Sequence, residues 1–194
     1  MTKPRIALII GSTRARRWAD IPAEWMLKQM QARDDIDVEL VDLRDVDLPF
    51  FNEDGPLGFF PAKDPKVLAW QARLATFDGF VFVIAEYNRG LSGSMKNALD
   101  CAYAEWNRKP MGSLGYGSVG AAFATAGLRL SAIELQMVVV RSAVHISGSD
   151  FFRVSAFNPK PEPMDAIEQN LLPGVKTMLD EIVWWANATK AARG

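Results

Sequence analysis

Two stretches of this chain are apolar without a break: Ile6-Ala7-Leu8-Ile9-Ile10, closed by Gly11, and Phe80-Val81-Phe82-Val83-Ile84-Ala85, opened by Gly79. Their length and β-branching read as strands, and a strand with no polar residue is covered on both faces. That is the situation of strands inside a parallel sheet, which needs helices on each side. The rest of the chain supplies them. Trp18, Ile21, Trp25 and Ala32 recur at helical spacing and predict a helix over 18–32. Further helices are predicted at 67–77, at 94–106, from the Gly115–Gly120 loop to about Ser142, and at 164–192, the last kinked or split at Pro173-Gly174. Val38–Leu43, interrupted by Glu39 and Asp42, reads as an edge or near-edge strand, and Met111–Gly115 and Ala143–Ser147 as two more. Pro49, Pro56, Pro61 and Pro65 with Gly55 and Gly58 make 49–65 a loop, which carries Phe50, Phe51, Phe59 and Phe60.

Strand followed by helix, repeated along the chain, predicts an α/β fold: a five-stranded parallel sheet with helices on both faces. This is the flavodoxin-like arrangement rather than a six-stranded dinucleotide fold. With no repeat, linker or low-complexity tract, residues 1–194 read as one domain. In such sheets ligands bind beyond the carboxyl ends of the strands, here the loops after Ile10, Ala85 and Gly115. Lys+Arg is 22 and Asp+Glu is 23, a net charge of −1, which argues against a general nucleic-acid coat and against a strongly acidic electron carrier. One cysteine, Cys101, excludes an internal disulfide framework, and one histidine, His145, excludes a multi-histidine metal site within the chain. No apolar run reaches the roughly 18–20 residues of a membrane span. The apolar start, Ile6 to Ile10, is too short for a secretory leader. The expectation is a cytoplasmic protein without membrane or nucleic-acid partners.

Chemistry concentrates in the predicted loops. Gly11-Ser12-Thr13-Arg14-Ala15-Arg16-Arg17 joins a strand to a helix N-terminus, where free N–H groups and the helix dipole favour an anion. Cations there are unfavourable by about 0.3–1 kcal/mol each, so three arginines need a bound anion or a solvated, splayed arrangement. Phosphate binding and a plain basic turn are both open on these grounds. A Walker loop is excluded, because Arg16-Arg17 stand where Gly-Lys belongs. A Rossmann fingerprint is excluded because Thr13 and Arg16 replace its second and third glycines. A terminal monophosphate suits the loop better than a pyrophosphate. Beyond the central strand, Glu86-Tyr87-Asn88-Arg89-Gly90 offers an aromatic face, an amide and a glycine that allows close approach of a planar ring. An ordinary polar turn capping a helix at Ser92 or Ser94 is the alternative. Gly117-Ser118 is small enough to leave room beside such a ring.

Gly11-Ser12-Thr13-Arg14, taken with Glu86-Tyr87-Asn88 and Lys96-Asn97-Ala98-Leu99-Asp100, resembles the NADPH-dependent FMN reductase family, which includes quinone, azo and chromate reductases. Glu105–Pro110 and Tyr116-Gly117 fit the same pattern, and the resemblance runs from about Ile6 to Ile146. It implies a flavodoxin-like fold, bound FMN, NADPH or NADH as reductant, and a homodimer or homotetramer. It also implies ping-pong, two-electron reduction of a small acceptor: flavin, quinone, azo compound or metal oxyanion. By the resemblance, Ser12, Arg14 and Arg17 hold the FMN phosphate, Glu86, Tyr87 and Asn88 line the isoalloxazine, and Gly117 and Ser118 flank its other side. No side chain is assigned as a general acid or base, since the cofactor carries the chemistry. The chain departs from the family at Ala85 and Ser92, where proline is usual, and at Ala15-Arg16, where Pro-Gly is common. These departures are expected to loosen the loops.

Plainer roles are expected elsewhere: His145 as a core or edge residue, Cys101 as a small buried hydrophobe, and Trp18, Trp25, Trp70, Trp184 and Trp185 in core or interface. Phe59, Phe60 and Trp106 are expected to roof the site or meet a second copy, and the terminal helix to pack on the sheet. Two other functions compete: a flavodoxin-type electron-transfer protein and a non-catalytic flavodoxin-like interaction protein. The arginine-rich loop and the near-zero net charge count against the first.

Overall fold

The computed structural model describes residues 2–193. One parallel sheet contains β1 (Arg5–Ile10), β2 (Asp37–Asp42), β3 (Gly79–Ala85), β4 (Pro110–Tyr116), β5 (Val138–Val139) and β6 (Val144–Ile146). The order is β2-β1-β3-β4, and both short strands lie on the free edge of β4. β5 pairs at its start (Pro110 with Val138) and β6 at its end (Leu114 with Val144). The fifth position of the flavodoxin-like sheet is thus shared by two strands. The direction of winding reverses between β1 and β3, and the crevice at their carboxyl ends is where such folds bind ligands.

Alternation along the strands divides the core. Ile6, Leu8 and Ile10 of β1 with Val81 and Val83 of β3 face α1 (Asp20–Gln31) and α7 (Glu168–Arg193). Ala7 and Ile9 with Phe80, Phe82 and Ile84 face α3 (Pro65–Ala75), α4 (Gly93–Asp100) and α5 (Ala122–Glu134). Each fully buried large side chain is worth about 1.5–3 kcal/mol, so neither strand can admit a polar residue without loss. The buried indoles are satisfied: Trp70 Nε1 donates to the Ala98 carbonyl at 2.9 Å and Trp106 Nε1 to that of Leu99 at 3.2 Å. Trp106 lies 4.7 Å from Phe80, centre to centre, so it is core and not a roof over the site. Gly112 lets α7 close on β4, because a Cβ there would meet Met178 Sδ at 2.7 Å.

Several elements differ from the sequence expectation. The helix expected to reach Ser142 stops at Glu134, since Gln136 turns left-handed (φ 55°) and the β-branched Val138-Val139 finds an open strand edge. The helix expected over 94–106 ends at Asp100. α7 is one helix, with Pro173 close enough to its start to cost a single backbone bond. Two short helices, α2 (Leu43–Val46) and α6 (Gly148–Val154), were not anticipated. α7 does pack on the sheet, but Trp184 and Trp185 are 63% and 38% exposed. Trp25, Trp70 and Cys101 are buried as expected, and burial pushes the Cys101 thiol up to about 11. His145 sits at the sheet edge, exposed, with Nδ1 2.6 Å from the Gly120 carbonyl.

At the far end from the crevice, Asp78 receives Lys190 and Arg193 of α7 and the Arg5 backbone N–H, which ties the terminal helix to the sheet. Beside it Lys109 is buried, with Nζ on the Leu74 carbonyl at 2.9 Å. Burial, reinforced by Arg193, lowers its pKa from 10.5 to about 8. Between those values the unfolded chain holds a proton that the folded chain has released, so stability rises with pH across that window. Below it, the buried charge costs about 3 kcal/mol. Leu74 keeps the Phe77 N–H when the lysine is removed. Lys109→Met is therefore predicted to stabilise the protein at pH 7 by about 1–3 kcal/mol in urea unfolding, and to abolish the rise between pH 8 and 10.

Candidate active site

The loop from β1 to α1 is held by its carbonyl groups. Arg17 donates to the Ser12 carbonyl at 2.6 Å, Arg44 to those of Arg14 and Ala15, and Arg14 to that of Arg16 at 3.1 Å. Among the described residues, the N–H groups of Ser12, Thr13, Arg14, Ala15 and Arg16 have no protein acceptor. Guanidinium groups thus take up the oxygens and leave a run of donors, the chemistry of an anion cradle beside a helix start. Arg17 itself is turned inward. Its side chain is 2% exposed and paired with Asp20 and Asp42, with Nη1 2.6 Å from Asp42 Oδ1. The sequence reading gave Arg17 a phosphate, and the structure gives it two carboxylates. This answers part of the charge problem, because one of the three arginines carries its counter-ions within the fold.

The second loop is tied to the first. Ser92 and Ser94 both donate to the Gly11 carbonyl, at 3.0 and 2.6 Å, and Ser92 also caps α4 by accepting the Met95 N–H. Ser92 therefore braces the loop where it was expected to loosen it. Glu86 reaches across to α5 and accepts the N–H groups of Phe123 and Ala124 at 2.9 and 3.1 Å. The N-cap of that helix, Ala121, lies in the left-handed region and offers no side-chain cap of its own, so the Glu86 carboxylate supplies it. Tyr87 to Gly90 is a tight turn closed by reciprocal backbone bonds, with Asn88 and Arg89 at positive φ. Arg14 joins the two loops by donating to Tyr87 Oη at 3.2 Å.

Between these loops lies a cavity of about 520 Å³. Of the residues singled out from sequence, Arg14, Glu86, Tyr87, Gly117 and Ser118 line it. Gly117 has φ +142°, and a Cβ there would meet nothing within 4 Å, so the backbone leaves open space. Ser12 lies buried at the base of the first loop, Arg17 faces away, and Asn88 stands at the exposed turn tip, so these three are outside the lining. The sequence reading missed Arg16, Trp18, Tyr116 and the stretch 151–157. Trp18 stands edge-on to Tyr116 and Phe151, at 5.1 and 5.4 Å between ring centres, and its Nε1 reaches the Val154 carbonyl. Burial raises the Tyr116 phenol, which stays protonated. A cleft of about 410 Å³ flanks the other side of the first loop, between Thr13, Arg44, Phe50 and Asn97.

A parallel flavodoxin-like sheet with an anion cradle after β1 and a flat, partly aromatic cavity beyond β3 and β4 defines a flavin- or nucleotide-binding class. A family model described as NADPH-dependent FMN reductase matches residues 4–150. The chain belongs to this family of FMN- and NAD(P)H-dependent oxidoreductases. An NAD(P)H-dependent FMN reductase of a Nectria species is 34% identical over 79% of this chain and 81% of its own length. One from Schizosaccharomyces pombe is 36% identical over 70% and 69%. A 2-hydroxy-1,4-benzoquinone reductase from a Burkholderia species is 26% identical over 93% and 95%. Among solved structures, the flavoenzyme NAD(P)H:acceptor oxidoreductase FerB of Paracoccus denitrificans superposes with a TM-score of 0.70. It is 24% identical and covers 96% of this chain and 98% of its own, a likeness of fold.

The residues fit FMN on the structure's own terms. The cradle offers free N–H groups to a phosphate, the cavity is of the size that small-molecule sites take, and one buried hydroxyl in its wall, Ser155 Oγ, has no partner. The cradle depends on Arg17. Burial alone would raise the Asp42 carboxyl, but hydrogen bonds from Arg17 and the Arg44 N–H outweigh it and hold the carboxyl below its usual range. A depressed carboxyl adds stability above its unfolded pKa and loses it as pH falls through the folded one. Asp42→Asn is predicted to cost about 1–3 kcal/mol at pH 7 in urea unfolding, and to flatten the loss of stability below pH 4.

Proposed function

We propose that this chain reduces a small acceptor by two electrons at the expense of NADPH or NADH, in a ping-pong sequence with FMN in the 520 Å³ cavity. When bound, FMN supplies the redox chemistry, taking a hydride from the nicotinamide and returning two electrons to the second substrate. The chain's own residues bind and orient. The N–H groups of residues 12–16 with Arg14 and Arg16 hold the phosphate, and Arg17, from behind, fixes the curvature of that loop. Tyr87, Glu86 and the open backbone at Gly117-Ser118 bound the ring, with Asn88 at the turn beside it. Tyr116 and Trp18 exclude water from the floor.

The observation that carries this reading is the first loop, where arginines hold four carbonyls and the N–H groups of residues 12–16 have no protein acceptor among the described residues. Names of the relatives support flavin and quinone as acceptors, and azo compounds and metal oxyanions belong to the same chemical range. No helix among the described residues is long and apolar enough to cross a membrane. A cytoplasmic enzyme without nucleic-acid partners is the setting we infer. Phe123, Leu130 and Ile133 expose an apolar stripe on α5, which supports a homodimer or homotetramer.

The test compares FMN with riboflavin, which lacks the phosphate. Wild type is expected to bind FMN at least tenfold more tightly and to bleach in one step with NADPH under anaerobic conditions. Arg14→Ala with Arg16→Ala is expected to lose about 10–100-fold in FMN affinity and little in riboflavin affinity, as charge-assisted bonds of about 1.5–3 kcal/mol require. Equal binding of both flavins by wild type, or bound flavin that NADPH leaves yellow, sinks the reading.

A further inference from the structure

A stretch of irregular chain reaches the cavity after α6, past the residues 4–150 that the family model matches. Val154 and Met164 are buried, so both of its ends are fixed in the core. The residues between cannot extend a helix or join the sheet, because Pro159, Pro161 and Pro163 fix φ and remove donors. Arg153, in the last turn of α6, closes this stretch on itself. Its carbonyl accepts the Glu162 N–H and Asn158 Nδ2, each at 3.0 Å. Its guanidinium takes the Glu162 carboxylate in two bonds, Nε to Oε1 at 3.1 Å and Nη2 to Oε2 at 2.6 Å. An isolated exposed ion pair contributes little, but the bidentate form, joined here to a backbone bond between the same two residues, fixes geometry. Inside the loop the Asn158 N–H reaches the Ser155 carbonyl at 3.0 Å, so the chain turns and Phe157 stands at the tip. That ring lines the cavity and is 72% exposed, 5.8 and 5.7 Å from Phe151 and Phe152 between centres. Folding gains little from a phenyl ring left so open, yet the loop holds it in place. Aromatic surface held open at a cavity is surface for a ligand to cover. Arg153 and Glu162 do not line the cavity, so they act on it through the loop.

We propose that Arg153 is a positioning residue of the flavin site: through Glu162 and Asn158 it holds the 153–162 loop so that Phe157 covers the bound flavin ring, and the flavin leaves when this loop opens. The proposal rests on the flavoenzyme reading above. It divides retention between two parts of the chain. The first loop holds the phosphate, and the 153–162 loop holds the ring. A phenyl ring and a flat flavin gain from offset or edge contact. Moving Phe157 away breaks the Arg153 bonds, which is how a surface residue comes to set a rate of release. A flavin held at both ends stays in place through both half-reactions, as a ping-pong sequence requires.

The experiment measures the rate at which FMN, and separately riboflavin, leaves the oxidised, flavin-loaded protein, followed by flavin fluorescence after dilution. No NAD(P)H is present, so the readout is release and not turnover. Phe157→Ala is expected to speed the release of both flavins by about five- to tenfold. Arg153→Gln and Glu162→Gln are each expected to speed it by about three- to fivefold, the upper range for an exposed pair. Arg153→Gln combined with Phe157→Ala is expected to stay within about twofold of Phe157→Ala alone, because without the ring the loop has nothing to hold against the flavin. The reversed pair, Arg153→Glu with Glu162→Arg, is expected to restore release to within about twofold of wild type. All these side chains are largely solvent-exposed, so the Tm of each variant without flavin is expected within about 2 °C of wild type, which separates positioning from a general loosening of the fold. Release unchanged in Phe157→Ala overturns the proposal. So do effects of Arg153→Gln and Phe157→Ala that multiply in full in the double variant, which would show that Arg153 acts elsewhere. An effect confined to FMN also overturns it, since that would place the loss at the phosphate. Failure of the flavoenzyme reading looks different: wild type takes up neither flavin, and the proposal falls with it.

Discussion

A guanidinium with partners on three sides holds the first loop in shape. Arg17 joins the loop itself, through the Ser12 carbonyl, to the start of α1 at Asp20 and to the end of β2 at Asp42. The first loop, the start of α1 and the end of β2, the last of them 25 residues away, meet at one buried positive charge, and moving any of them takes a partner from it. Unpaired burial of a charge is among the costliest events in a protein, so the loop's path is fixed before any ligand arrives. Arg44 adds a second guanidinium at the next turn. The anion cradle lies beside these contacts, where the N–H groups of residues 12–16 have no protein acceptor among the described residues.

The same economy of partners links the loops to one another. Gly11 offers its carbonyl to Ser92 and Ser94, Glu86 caps α5, and Arg14 reaches Tyr87. Each bond is modest alone, on the order of 1 kcal/mol. Together they join the carboxyl ends of β1, β3 and β4 into one rigid rim around the cavity, which is what a site that positions a flat cofactor requires. Ser155 Oγ, without a partner among the described residues, and the exposed rings of Phe152 and Phe157 lie in the wall and not in this rim.

Much of the frame was legible in the order of residues. Unbroken apolar runs at β1 and β3 could only be central strands, and the alternation with helices set the parallel sheet. The short elements were not legible. Val138-Val139 continued an apolar helical pattern until tertiary contact offered the edge of β4. The seven residues of α6 carry too little periodicity to declare a helix, and they take their place because Trp18 packs on Phe151 and bonds the Val154 carbonyl. Arg17 was misplaced for a related reason. A basic residue in a glycine-led loop looks the same in sequence whether it faces a phosphate or an aspartate 25 residues away.

By itself, then, the sequence determined the class of fold, the loops that carry the chemistry and the family, because these depend on local pattern and on motifs a few residues long. Tertiary structure alone decided which arginines face the cavity, that Ser92 braces the loop it was expected to loosen, and that residues 151–157 complete the wall. Those outcomes depend on which distant carboxylates, carbonyls and rings come within hydrogen-bond or van der Waals reach. That information lies in the packing of α1, α6 and β2 against the loops, and no window of the sequence contains it.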